Sequence, residues 1–249
     1  MNFFEYNGIK SSQFGLHIQS KRIFDSPTID LTFQTIPGRD GDLILPDNRL
    51  GNVTVSYTCF FKEKNITDMA DTVRQMKAWL FSCRGNYAKL TDSYDSGYFR
   101  YAVLTGSLSI DEQLNRLGSF TVTFSCKPYK YSLLGNIASS YAQTEIELTN
   151  PEPFESLPVI KVAVTTDFEV KVSSSGYETK VSFTVPDSVA RYYIIDSENL
   201  NIYGSAGRLL YRYAVVSNGF PVFFPGDNTV TVTGGNIVKT VITPLWRSL

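Results

Sequence analysis

The chain has 249 residues, 43% hydrophobic and 19% charged, the balance of a globular protein rather than a disordered one. Its formal net charge is −1, so no basic field exists to hold a phosphate backbone, which argues against nucleic-acid binding as a main function. No stretch approaches the roughly 20 apolar residues of a membrane span, and Met1 to Tyr6 has neither a basic leader nor an apolar run, so a soluble protein made in a cytoplasm is expected.

Asn7-Gly8, between Phe3-Phe4-Glu5-Tyr6 and Ile9, is a two-residue hairpin signal. Residues 14–24 read as a second strand or an extended arm carrying the only histidine, His17, which has no nearby carboxylate or nucleophile to serve. Ile29, Leu31 and Phe33 then alternate with polar residues, the period of a half-buried strand. Pro37 removes a ladder donor while Gly38 and Gly41 allow positive φ, so Ile36 to Asp42 is a hairpin tip, with Arg39 and Asp40 either paired locally or open to a partner. A turn is expected at Pro46-Asp47-Asn48, after which Val53, Val55, Tyr57, Cys59 and Phe61 resume the alternation.

Asn65 to Ser82 predicts the one helix, with Ile66, Met69, Val73, Met76 and Leu80 on one stripe, Asn65 as N-cap and Arg84-Gly85 as the stop. Residues 87–90 and 101–104 read as strands about a polar turn, and Phe120, Val122, Phe124 and Cys126 as another that Pro128 ends. Lys127, Tyr129, Lys130 and Tyr131 supply amphipathic surface suited to a protein contact. Gly135 to Thr144 has a weak pattern and small residues, as a linker would. Beyond it, strands are expected at 159–165, 168–173, 180–185, 192–196, 211–216, 222–224, 229–233 and 237–242, the spacing of an antiparallel sandwich.

Catalytic and metal chemistry find little support. Cys59, Cys83 and Cys126 lack the close pairing of zinc ligands, and Cys59 and Cys126 fall on apolar strand registers, so they read as core thiols. Asp92 with Asp95, or Asp111 with Glu112, could be proposed as glycosidase pairs, but Asp and Ser are the usual vocabulary of turns. No catalytic, cofactor-binding or metal residue is assigned, and no cofactor is expected.

Several short motifs, in order, resemble one family. Pro37-Gly38-Arg39-Asp40-Gly41, Phe124-Ser125-Cys126-Lys127-Pro128-Tyr129-Lys130-Tyr131, Asn150-Pro151 leading to Pro158-Val159-Ile160, Ile195-Asp196-Ser197-Glu198-Asn199, Phe224-Pro225-Gly226-Asp227-Asn228-Thr229 and Ile242-Thr243-Pro244-Leu245-Trp246-Arg247 are similar to landmarks of phage distal tail proteins. The chain departs from the pattern at Glu152, where Gly is expected, so that turn should differ.

The resemblance implies a mainly β protein with no enzymatic role. An N-terminal sandwich- or barrel-like domain (1–135, helix about 65–82) would form a six-membered ring, followed by a linker (136–149) and a galectin-like antiparallel β-sandwich (150–249). The ring would join the tail tube protein to a tail-associated hub or lysin protein at the virion tail tip of a long non-contractile-tailed phage or prophage. DNA would pass through its channel, and receptor-binding or baseplate proteins would attach to the outer, C-terminal domain. Pro37, Gly38, Arg39, Asp40 and Gly41 would then lie at a subunit contact. The rival class is a lectin. A galectin site resembles His-x-Asn-x-Arg followed by Trp and Glu, whereas His17 lies in the other half and Trp246 at the extreme C-terminus, where it is expected in core packing or an inter-domain contact.

Overall fold

The computed structural model describes residues 2–113, 117–186 and 191–249 and divides them into two compact units, Met1–Lys130 with Leu249, and Tyr131–Ser248. Both are built of antiparallel strands, and the described residues are mainly β with one α-helix.

The first unit holds β1 (Phe4–Tyr6), β2 (Ile9–Lys10), β3 (His17–Arg22), β4 (Ile29–Gln34), β5 (Leu43–Leu50) and β6 (Val53–Lys62). Helix α1 (Ile66–Leu80), β7 (Ala88–Asp92), β8 (Tyr98–Thr105), β9 (Asp111–Gln113) and β10 (Leu117–Cys126) follow. The sheet order is β2-β1-β7-β8-β10-β6-β3, with β9 on β10. At the β1–β2 turn, Asn7 and Gly8 take φ of 52° and 77°, the doubly left-handed geometry that turn chemistry demands. β6 and β10 run side by side from Val53↔Cys126 to Lys62↔Leu117, burying Val55, Tyr57, Cys59, Phe61, Phe120, Val122 and Phe124 on one face. Gly118 sits opposite Phe61, and a Cβ there would come within 2.4 Å of the ring, so only glycine lets Phe61 lie across β10.

Helix α1 closes this core. Asn65 caps it by accepting from the Asp68 N–H at 2.9 Å, and Met69, Met76, Trp79 and Leu80 are buried. Trp79 stacks between Phe14 and Phe4 and donates Nε1–H to the Tyr6 carbonyl at 2.9 Å, which satisfies its polar edge inside the core. Ile66, placed on the stripe by spacing, is exposed at the first turn, and the C-cap is Phe81 rather than the Arg84-Gly85 pair. Cys59 and Cys126 are core thiols, their pKa pushed up to about 12 by burial.

Three expectations need correction here. Residues 14–24 are not one strand: Ser11–Phe14 is a 3-10 turn and β3 begins at His17, which stacks on Phe60 at 5.1 Å. Pro46-Asp47-Asn48 is no turn, because β5 runs through it, and the turn chemistry is absorbed as a register shift opposite Ile29 and Leu31. Ile29, Leu31 and Phe33 are not half-buried but exposed, and among the described residues β4 and β5 pair only with each other.

The second unit begins within β11 (Lys130–Ser132) and holds β12 (Ser139–Tyr141), β13 (Glu145–Asn150), β14 (Val159–Val164), β15 (Phe168–Ser174) and β16 (Tyr177–Phe183). It continues with β17 (Arg191–Asp196), β18 (Asn201–Gly204), β19 (Ala214–Ser217), β20 (Gly226–Gly234), β21 (Lys239–Thr243) and β22 (Arg247–Ser248). Sheets β12-β21-β14-β17-β18 and β13-β20-β15-β16-β19 enclose one core that includes Ile160, Val162, Val170, Tyr193, Ile195, Phe223, Val230 and Ile242. The expected linker at 136–149 is instead structural. β12 edges one sheet on β21 and β13 edges the other on β20, so both sheets need that segment. Residues 222–224 make only an isolated bridge, Ser156↔Phe223, and 211–213 form a 3-10 turn instead of strand.

Candidate functional site

The hairpin tip is shaped as its residues dictate. Gly38 and Gly41 take φ of 80° and 77°, and the Arg39 N–H donates to the Ile36 carbonyl at 3.2 Å. Thr35 donates to Asp42 at 3.0 Å and latches the two strand ends. Pro37, Arg39 and Asp40 are exposed, and among the described residues neither Arg39 nor Asp40 has an ion-pair partner. The two charges are presented rather than paired with each other.

Behind the tip lies a feature that residue spacing alone did not show. Ile29, Leu31 and Phe33 share one face of β4, and Ile44 lies opposite Phe33 on that face. They are 65%, 40%, 59% and 53% exposed. The alternation identified which residues share a face but not whether anything covers it. A two-stranded ribbon with such a face is marginal in water by itself, and a contiguous apolar patch on a soluble chain marks a contact surface.

The segment after β10 is more constrained than a free contact surface. The Lys127 N–H donates to the Tyr101 carbonyl at 2.8 Å, and its ammonium lies 5.8 Å from the Tyr87 ring and 5.3 Å from the Tyr101 ring. Lys130 pairs with Asp95 at 3.0 Å beside the Tyr98 ring. Arg100, its guanidinium pKa lowered by burial, donates to the Pro128 carbonyl at 2.9 Å. Tyr129 is half-buried and Tyr131 is buried, so Tyr131 offers no exposed contact.

The acidic pairs serve structure. Asp92 accepts from the Tyr57 hydroxyl at 2.8 Å and from the Tyr94 and Asp95 N–H groups, while Asp95 is held by Lys130. Burial, then the Asp92 charge, push the Tyr57 phenol upward. Asp111 is exposed, and the side chain of Glu112 lies outside the described residues. Among the described residues no three potential metal ligands come together.

Three landmarks of the second unit converge in space. Asn150 donates to the Phe154 and Phe223 carbonyls at 3.0 and 3.3 Å and accepts from the Glu152 N–H at 3.0 Å, which is how the turn forms with Glu in place of Gly. Asn228 accepts from the Phe224 N–H and donates to the carbonyls of Phe224 and Gly226. Ser156 reaches the Pro244 carbonyl at 2.9 Å, Arg247 reaches the Glu155 carbonyl at 2.6 Å, and Trp246 packs on Phe223 in the core. The fourth, Asp196 with Asn199, closes the β17–β18 hairpin. These motifs encode the second unit's own architecture, and Trp246 belongs to its core.

Comparison with known proteins adds a family match for part of the chain and a fold match for the whole of it. Residues 9–126 match the model of the phage tail protein RIFT-related domain. No curated protein is similar to the chain in sequence. Its fold resembles the SPP1 Dit protein, described as a paradigm of the hub adsorption apparatus in phages infecting Gram-positive hosts, with TM-score 0.75, 15% identity and 100% of both chains covered. It also resembles a chain of the phage P2 baseplate in its activated conformation with Ca, with TM-score 0.55, 8% identity and 97% of both chains covered. The strontium form of that baseplate gives 0.53 and 8% over 97% of this chain and 98% of that one. Residues 9–126 thus match the phage tail RIFT-related domain model, and the whole chain shares its fold with the SPP1 Dit protein.

Proposed function

We propose that six copies of this chain close into a ring at the tail tip, a structural hub without enzymatic activity. The ring joins the tail tube protein on one side to a tail-associated hub or lysin protein on the other. The observation that carries this reading is the uncovered apolar face of the β4–β5 hairpin, Ile29, Leu31, Phe33 and Ile44, behind a tip that presents Arg39 and Asp40. A heterologous contact of this kind, repeated by rotation, closes a ring. The first unit builds it, and the Pro37–Gly41 tip lies at the junction between copies. The solved relatives belong to a hub adsorption apparatus and a baseplate, which supports the same role for this chain. The galectin-like second unit carries the attachment surface for receptor-binding or baseplate proteins. The chain is made in the host cytoplasm and joins the virion there.

Light-scattering mass after size exclusion tests this. A particle of six times the 27.9 kDa chain is expected, and a monomer at every concentration would overturn the ring. Sugar binding by the second unit is the rival reading. Titration with galactosides and host wall saccharides is expected to give no saturable heat, because the only histidine, His17, lies in the first unit and Trp246 is packed in the core, so the galectin sugar pattern is not assembled.

A further inference from the structure

The second unit holds a cavity of about 560 Å³ that its packing does not fill. The buried Tyr193 and Leu210 and the half-buried Tyr213 give it an apolar floor, and Ser205, Ala206 and Arg208 stand at its rim. The rim is fixed before anything binds. The Gly204 N–H donates to the Arg208 carbonyl and the Gly207 N–H to the Gly204 carbonyl, both at 2.9 Å, and the Ser205 hydroxyl donates to the Tyr192 carbonyl at 3.3 Å. Preformed ligand pockets measure roughly 300–1,000 Å³, and a wall held in place lowers the ordering cost of binding.

The polar groups around the cavity are already engaged, with one exception. Ser205 serves Tyr192, and the Tyr213 hydroxyl accepts from Arg212 at 2.6 Å. Arg208 is exposed and forms no ion pair among the described residues, and no described lining residue is acidic. One unpaired cation beside an apolar floor selects an apolar group with a carboxylate next to it. A glycerol-phosphate polymer would satisfy Arg208 but leave its hydroxyls without partners on the floor, and a polar group desolvated without a partner costs free energy.

Directly after Tyr213 the chain becomes β19, the last strand of its sheet. Tyr213 accepts from the Thr184 N–H, so by alternation Val215 turns its backbone to β16 and Val216 turns its N–H and carbonyl to the open side. Ala214-Val215-Val216-Ser217 has neither the charge nor the proline that blunts an edge. Val216 lies three residues from Tyr213, roughly 10 Å along a strand, so one extended segment spans cavity and edge. Resting on the reading of the second unit as an attachment surface, we infer that the cavity takes an apolar side chain of an acidic, extended segment of a partner protein, whose backbone adds to the edge of β19.

Fluorescence anisotropy of short labelled peptides on the full-length chain tests this, with Leu, Phe or Ser at the centre and Asp or Lys as flanks. Leu and Phe peptides with Asp flanks are expected to bind, and Ser at the centre or Lys at the flanks to weaken binding by about tenfold or more. Arg208→Glu is expected to cost a similar factor, and Ala206→Trp, which sets a ring in the rim, to abolish binding. Both positions are exposed, and denaturant midpoints check the fold. N-methylation of alternate peptide amides is expected to weaken binding in one register and spare it in the other. An array that binds evenly or not at all, binding that both folded variants keep, or indifference to N-methylation would overturn the inference. Saturation by octanoate or by a glycerol-phosphate polymer, with the peptides ignored, would do the same. Scattering mass on the same sample separates the two readings: six-copy rings that ignore the peptides remove the cavity's role and leave the hub, whereas monomers that bind them remove the ring and keep the cavity.

Discussion

Replacing Phe33 and Ile44 by serine removes the centre of the exposed hairpin face. A phenylalanine buries roughly 150–250 Å² when fully covered, and Phe33 leaves 59% of its surface open. Covering that remainder at about 25 cal/mol per Å² is worth roughly 2–4 kcal/mol, and Ile44, 53% exposed, adds about 1–1.5 kcal/mol as half of a fully buried side chain. The double change therefore weakens each junction by about 3–5 kcal/mol, a hundredfold to a few thousandfold in its dissociation constant. The monomer loses little, because exposed substitutions away from caps and cores usually stay within about 0.5 kcal/mol. The assay is scattering mass over a dilution series, with denaturant unfolding of the monomer as control. A Phe33→Ser/Ile44→Ser chain that assembles at the same concentration as wild type would refute the reasoning.

Other perturbations test separate steps. Arg39→Glu is expected to shift assembly less, by about 0–1 kcal/mol per junction as for an exposed pair, and to leave the far-UV spectrum unchanged. Asn150→Ala removes its bonds to the Phe154 and Phe223 carbonyls and to the Glu152 N–H, while the Phe223 carbonyl keeps the Ser156 N–H, and is expected to cost about 2 kcal/mol, read as a lowered denaturant midpoint. Cys59 and Cys126, buried and raised to about 12, are expected to resist a thiolate-specific reagent until the chain unfolds, while half-buried Cys83 reacts first. Tyr57 is raised when folded, so its contribution is complete below the unfolded phenol value of about 10 and is lost as pH climbs above it. Tyr57→Phe should flatten that alkaline fall in stability.

The legible parts of the sequence were those where one local signal dominated. Val53 to Phe61 and Phe120 to Cys126 alternate without interruption, and Asn65 caps a helix whose stripe, apart from Ile66, faces the core. Strand was missed where small polar residues blurred the period, at Ser139–Tyr141 and Asn201–Gly204, although Glu145-Ile146-Glu147-Leu148 alternates plainly. The turn placed at Pro46-Asp47-Asn48 shows that turn residues also suit a bulge when both flanks pair with one strand. The candidate tip was readable from Pro37, Gly38 and Gly41. The exposed face behind it was not, because periodicity carries no information about covering layers. Asn228 bonds within its own turn to Phe224 and Gly226, and Asn150 bonds locally to Glu152 and Phe154, but its tie to the Phe223 carbonyl was not legible because only the fold brings that segment to it.

The central claim is that the molecule works as a ring, and electron microscopy of the full-length chain tests it most directly. Negatively stained particles should give six-fold class averages around an open channel. Particles that remain single chains, or assemblies without a rotation axis and channel at concentrations well above those of assembly, would contradict it.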